Sequence, residues 1–545
     1  MVKRADRDRG DTQDTVSVEH RLARLLDSPH LARVVPHLPA EALHQLIRYR
    51  GLDACAELVA SATPEQLTSV LDLDLWRNTK PGRDDRFNEA RFGEWIEHLV
   101  DAGGDLAAQT VAAIDENLVI AGLARYVRIF DPATFGPSAQ SDDESRDVDV
   151  ALSGLACEVG GYLVCAKKPD TWDAIVTLLL ALEADHHEYF HAVMRGCRRL
   201  SNSTPEIDGL DDLLMEPEQL LHDVTLEREH RRSQRGYVTP ADARAFLQMA
   251  RQPRQPRPDA TPSINPLAAA YFRAADEAAT SVDGRESSQG RAVEPSADGH
   301  APESIAEIVE LLAEAGLMPG RPRALLEGAA PQRAGLTLVR ALMEHVRDHD
   351  DAAYLARSND LAFLANALIA GCSVQSRPFT PQEASDAAVG ICNLGLERWP
   401  GPLPDSFLVD HDLVMAFEAG WAVLHADVSM FVTERLIVIL ADLRCVDDEI
   451  QEGIRALRRE LVRQRDAGTP WRARNSLEVI AMLDTTAWAS LLGLLDECPV
   501  LPAALRAILE GHTGAVSATA FEFISTDGQI SDIREFVDKR GFALR

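Results

Sequence analysis

The sequence predicts an all-α fold: stacked antiparallel helices, solenoid-like, in two or three lobes, with one small β-hairpin. Three observations predict it. Apolar residues recur at three- and four-residue spacing along most of the 545-residue chain. A Thr-Pro punctuation followed by polar residues recurs ahead of such runs, marking helix starts. Runs of β-forming residues face each other across a Gly-Gly pair at one place only, Leu152 to Lys167.

Taken in order, residues 1–17 are highly charged and are expected to be disordered. Residues 18–136 form a first unit, in which LPAEALHQLI (38–47), ATPEQLTSVL (62–71) and IDENLVIAGL (114–123) align on Leu43, Leu67 and Leu118. Helices this short bury a face only by stacking, which points to a small solenoid. Thr63-Pro64-Glu65-Gln66 opens the second of them as a capping box. Residues 150–250 carry the hairpin, a helix from about Asp170 to Leu200, a helix over about 217–235, and a further start at Thr239-Pro240. The acidic stretch 138–149 reads as a loop. Residues 280–304 hold Gly, Ser and charge with almost nothing apolar, and read as a flexible linker. Residues 305–545 form a C-terminal helical unit, with a capping box at Thr380-Pro381-Gln382-Glu383 and a core helix around Trp421, Leu424, Phe431, Leu436 and Ile439. Gly316, Gly371, Gly395 and Gly511 read as helix stops.

Charge and cysteines narrow the function classes. The net charge of −31 repels phosphate backbones, so no nucleic acid is expected as partner. None of the eight cysteines forms a C-x-x-C pair, and they sit among apolar residues as buried thiols do. The N-terminus lacks a signal-like apolar segment and no apolar run reaches membrane-spanning length. We therefore expect a cytoplasmic protein without a membrane span. The glycine-rich nucleotide motifs, the G-x-S-x-G elbow and H-E-x-x-H are absent.

Two clusters carry potential chemistry. On one long helix 170–200, Glu183 falls in the centre of an apolar stripe, flanked by His186, His187 and His191. The next helix carries Glu227 and His230. Carboxylates and imidazoles three or four residues apart can share an ion, so these six are the candidate ligands of a divalent metal cofactor. The paired E-x-x-H spacing is similar to that of di-iron carboxylate bundles. It departs from them because no Glu-bearing helix fits between the two. A plain polar cluster, with Glu183 paired to an arginine, accounts for the same residues. The second cluster is cationic: Arg195, Arg198 and Arg199 end one helix, and Arg228, Arg231, Arg232 and Arg235 end the next. If the ends meet, seven arginines form an anion pocket; dipole complementation alone also explains them. His425, four residues from Trp421, reads as a satisfied core histidine.

The repeats of the first unit, with their Leu-Pro-x-Glu-x-Leu phrase, resemble the helical N-terminal domain of bacterial magnesium transporters, which implies fold and not transport. The phrases FHAVMRGCRRLSN (190–202), RGYVTPADARAFL (235–247), AGCSVQSRPFTPQEASDAA (370–388) and GTPWRARNSLEVIA (468–481) resemble a family of uncharacterised bacterial proteins over most of the chain. That resemblance implies a shared fold and no catalytic residue. The leading functional expectation is a non-enzymatic scaffold or adaptor that binds another protein. The alternatives are a metal-binding enzyme or sensor and an anion-binding regulator.

Overall fold

A computed structural model of the chain describes residues 35–77, 85–130, 155–201, 216–252, 268–269, 336–442, 444, 448–467, 493–510 and 520–539. The expected N-terminal disorder, the 138–149 loop, the 280–304 linker and the segment 468–481 lie outside these residues. The described chain is mostly helical, with strands confined to four small sheets. It divides into two compact units, the first ending at Arg232 and the second beginning at Ser233 within the described residues.

The first unit runs through α1 (Ala40–Arg50), α2 (Ala56–Ser61), α3 (Pro64–Asp74), the short ladder of β1 (Trp76–Arg77) with β2 (Arg86–Phe87), and α4 (Glu89–Ala102). It continues with α5 (Gly104–Ala112), α6 (Glu116–Leu123), β3 (Val127–Phe130), β4 (Ala156–Val159), β5 (Tyr162–Ala166), α7 (Trp172–Asp185), α8 (His187–Ser201) and α9 (Glu216–Gln234), the last belonging to it as far as Arg232. The capping box at Thr63 forms: its hydroxyl accepts from the Gln66 amide at 3.2 Å, and Gln66 Oε1 accepts the Thr63 amide at 2.8 Å. The other end of the Gln66 amide, buried, donates to the Val35 and Leu38 carbonyls, so the cap also fastens α3 to the segment before α1. Leu43, Leu67 and Leu118 are all buried, each within the first turn of its helix.

The hairpin forms at Gly160-Gly161, both with positive φ (55° and 83°), as a two-residue primed turn requires. Val159 faces Tyr162 across it. The hairpin is not alone: β3 adds on the far side of β5, giving the antiparallel order β3-β5-β4. Three strands with a buried face are stable where two are marginal. β3 packs on α8, α5 and α6 flank α7 and α8 respectively, and α4 packs on α5 and α7.

The second unit contains α10 (Pro240–Ala250), α11 (Thr337–His349), α12 (Asp351–Gly371), the ladder β6 (Ser373–Val374) with β7 (Arg377–Pro378), α13 (Pro381–Glu397), α14 (Phe407–Asp410) and α15 (Leu413–Leu424). A π-helical stretch, His425–Met430, joins α15 to α16 (Phe431–Asp442). Then come α17 (Asp448–Asp466), β8 (Val500–Pro502) paired with β9 (Phe521–Phe523), α18 (Ala503–Leu509) and α19 (Asp527–Lys539). Thr380 and Glu383 complete a second reciprocal cap. At Thr239 the shorter Asp242 binds the threonine hydroxyl instead of reaching back to its amide. Phe246, Phe363, Phe417 and Trp421 are buried at the core, and Trp421 Nε1 donates to the Leu247 carbonyl at 3.0 Å.

Candidate functional site

The predicted cationic cluster separates. Arg195, Arg199 and Arg235 are exposed and Arg198 is half-buried. Arg228, Arg231 and Arg232 occupy one face of α9 because three- and four-residue steps return to it. They meet carboxylates of the chain rather than an open pocket. Arg231 holds Asp72 through both oxygens, Arg228 Nε donates to the Asp72 backbone carbonyl at 2.6 Å, and Arg228 Nη2 and Arg232 Nη1 share Asp85 Oδ2 at 2.8 and 3.4 Å. The Arg228 guanidinium lies 4.6 Å from the Trp76 ring centre. Its burial and the neighbouring Arg232 lower its pKa to about 10, against the pull of Asp85 and Asp72. Near this network Asp74 accepts from Arg91 Nε, Trp95 Nε1 and His44 Nε2 at 2.6, 2.8 and 3.4 Å.

The predicted Glu/His cluster is also rearranged. The helix expected over 170–200 breaks at His186, whose φ and ψ of −132° and 50° end α7. A wheel drawn across the break loses its phase. The buried stripe of α7 is Ile175, Leu178, Leu179 and Leu182, which leaves Glu183 half-buried at its edge instead of at its centre. There it lies beside the hairpin turn: a Cβ at Gly160 would stand 3.1 Å from Glu183 Cγ and would collide with Phe190. On α9 the stripe Leu220–Val224 continues to Arg228, four residues on, so Glu227 and His230 are exposed. Among the described residues no group of three His, Cys, Asp or Glu side chains gathers closely enough to hold a metal ion. One pair does come together: His187 and His191, with their Nε2 atoms 3.1 Å apart.

His425 is buried as expected, edge-on to Trp421 at 4.6 Å between ring centres, but its Nε2 has no hydrogen-bond partner among the described residues. Burial, with Arg251 next, holds its pKa well below the ordinary value, so it is neutral.

A site that sequence reasoning missed lies in the first unit, where β5 ends. Ala121, Ala124, Arg125, Lys167, Lys168, Leu200, Leu221 and Glu89 line a cleft of about 310 Å³. Strand pairing builds it. Lys167 follows β5 and gives its amide to the Tyr126 carbonyl at 2.7 Å, so the two lysines stand over the turn between α6 and β3. Lys167 Nζ donates to the Ala124 carbonyl at 2.5 Å, and Lys168 Nζ pairs with Glu89 at 2.7 Å. Arg125 and Arg128 form no ion pair among the described residues. Although the Lys167 side chain is exposed overall, partial desolvation of its amine, then Arg128 and Arg125, hold its pKa below that of an ordinary lysine. The missed signal was the Lys167-Lys168 pair itself, in a chain whose other cations are nearly all arginine.

The model of a family of unknown function (DUF6178) matches residues 4–206, less than half of the chain. The match takes in the cleft residues from Glu89 to Leu200 and the His187–His191 pair, and stops before α9. Comparison with curated proteins finds no match, and neither does comparison with solved structures.

Proposed function

We propose that the protein is an anion-binding regulator, and that its ligand is a small phosphate or carboxylate with a short apolar part, held in the cleft of Arg125, Lys167 and Lys168. One observation carries this reading. In a chain with 86 acidic and 55 basic residues, Arg125 and Lys167 line the cleft with Arg128 close by, Glu89 is the only acid lining it among the described residues, and that acid is engaged by Lys168. Like charges held together without counter-charges cost free energy that a bound anion removes. Leu200, Leu221 and the two alanines supply an apolar wall beside the cations.

Calorimetric titration with inorganic phosphate and with phenyl phosphate tests it. Both should bind, phenyl phosphate more tightly, and Lys167→Ala with Arg125→Ala should remove binding while Arg199→Ala leaves it intact. Absence of binding by both ligands, or binding that survives the double substitution, overturns the assignment.

A protein-interaction scaffold is the second reading. Leu180, Leu226 and Leu355 are 51%, 50% and 63% exposed, each on a different helix, which is the kind of side chain a protein partner covers. The likeness of the first unit to the helical domain of magnesium transporters belongs to this reading and concerns fold alone.

A further inference from the structure

We propose that His187 and His191, on the first turns of α8, form a two-histidine clamp for a divalent late transition metal, with copper(II) preferred. This site is separate from the anion cleft.

The geometry starts from the i, i+4 spacing, which places both imidazoles on one side of α8. Their planes are almost perpendicular, at 89°, with ring centres 4.3 Å apart. The Nε2 atoms face each other at 3.1 Å. Two lone pairs cannot face each other at that distance. Something must sit between them, either one proton or a cation. With metal–nitrogen bonds of about 2.0–2.1 Å, a 3.1 Å separation corresponds to a nitrogen–metal–nitrogen angle of about 95–102°. That angle suits adjacent positions of a tetragonal copper or nickel ion, the remaining positions being filled by water.

The surroundings orient the clamp. His191 Nδ1 lies 3.3 Å from the Tyr162 hydroxyl, on β5. If Nδ1 carries the proton and gives it to that oxygen, Nε2 is left with its lone pair free for a metal, the outer-shell arrangement that fixes a ligating histidine. Phe190, fully buried, lies against the His191 ring at 5.3 Å between centres and limits its rotation. The α8 dipole opposes a cation at its first turn. Glu188, in that same turn, and the chain's excess of carboxylates oppose the dipole in turn.

A second i, i+4 pair, His345 and His349 in the other unit, provides the internal comparison. Its rings are stacked, 18° from parallel, and His349 Nδ1 is turned to the His345 carbonyl at 2.8 Å. It does not present two nitrogens to one point.

The test titrates untagged full-length protein with copper(II) and, separately, zinc(II), by calorimetry and by electron paramagnetic resonance of the copper form. We expect one high-affinity copper ion per chain with nitrogen hyperfine structure from two imidazoles, and weaker zinc binding. His187→Ala and His191→Ala should each remove the two-nitrogen signature. Tyr162→Phe should weaken affinity by about tenfold or more without removing it, and His345→Ala with His349→Ala should change neither signature nor stoichiometry. Both alanine positions on α8 lie at or near the surface, and circular dichroism checks that their fold is retained. A signature that survives His187→Ala, disappears with the His345 and His349 substitutions, or never shows two imidazoles overturns the clamp.

Discussion

Arg231 grips Asp72 across 159 positions of sequence, with Nε 2.9 Å from one carboxylate oxygen and Nη2 2.8 Å from the other. With Arg228 on the Asp72 carbonyl, the pair ties α9 to the last turn of α3. Asp72 is 1% exposed and Arg231 27%, so it is the carboxylate that water cannot serve if the bond is lost.

Removing Arg231 strands a buried carboxylate, whereas removing Asp72 leaves a guanidinium that is 27% exposed. Arg231→Ala, which leaves the buried Asp72 carboxylate without its ion-pair partner, should destabilise the first unit by about 3–5 kcal/mol, the range for breaking a buried pair. Lys168→Ala should cost much less, because its ion pair with Glu89 is made at the surface, the two side chains 41% and 46% exposed. Urea unfolding of the variants checks the order. Equal effects would show that solvent replaces Arg231 at Asp72.

Acid should move the two units in opposite directions. Burial alone would raise the Asp74 carboxyl, but hydrogen bonds from His44, Trp95 and Arg91 and the Arg91 charge outweigh it and hold its pKa well below the carboxylate range. Its stabilising contribution is present above the unfolded value of about 4 and is lost as pH falls through the depressed folded value. Asp360 is the reverse case. Burial, only partly opposed by Arg357 and the Leu413 amide, lifts its pKa to about 6. Its contribution is present below about pH 4 and is lost as pH rises through about 6, a difference worth about 3 kcal/mol at most. Hydrogen exchange followed segment by segment between pH 7 and pH 5 should show slower opening around Asp360 at pH 5, corrected for intrinsic rates. Asp360→Asn should abolish that difference.

The π-helical stretch predicts unequal costs for two aromatic truncations. Trp421, ahead of it, is fully buried and hydrogen-bonded, so Trp421→Ala should cost about 3–5 kcal/mol. Phe431, just after it, is half-buried, with the guanidinium of Arg534 4.5 Å from its ring centre. Phe431→Ala should cost clearly less. Equal losses in thermal unfolding would place Phe431 in the core after all.

The same stretch shows what was legible. Thr63 and Thr380 announced their helices because capping is a local interaction, complete within four residues. The Gly160-Gly161 hairpin was local in the same way. Leu424 and Leu436 are buried as the periodicity predicts, but Ile439 is only partly buried. A π turn spends an extra residue per hydrogen-bonded ring and rotates everything after it. The break at His186 did the same to the Glu183 wheel. The cleft at Lys167 was illegible for another reason. It depends on β3 pairing with β5 across the segment 131–154, and no local pattern specifies such a pairing.

Gly395 was read as a helix stop, yet it lies inside α13, and its role is contact. A Cβ there would strike the Ala416 carbonyl oxygen on α15, and a Cβ on Gly420 would strike the Ile391 carbonyl on α13. The two helices touch backbone to backbone, each through the other's glycine. In an ordinary helix, Gly→Ala gains about 1 kcal/mol from propensity. Here the obstacle is backbone, which cannot rotate aside as a side chain can. Gly420→Ala should therefore destabilise the second unit, by about 1–3 kcal/mol from overpacking net of that gain. Gly395→Ala should do likewise. The double variant should cost less than the sum, because one separation of α13 from α15 relieves both collisions. Denaturant unfolding of the three variants measures this, and a stabilised Gly420→Ala would mean that the helices do not approach this closely in solution.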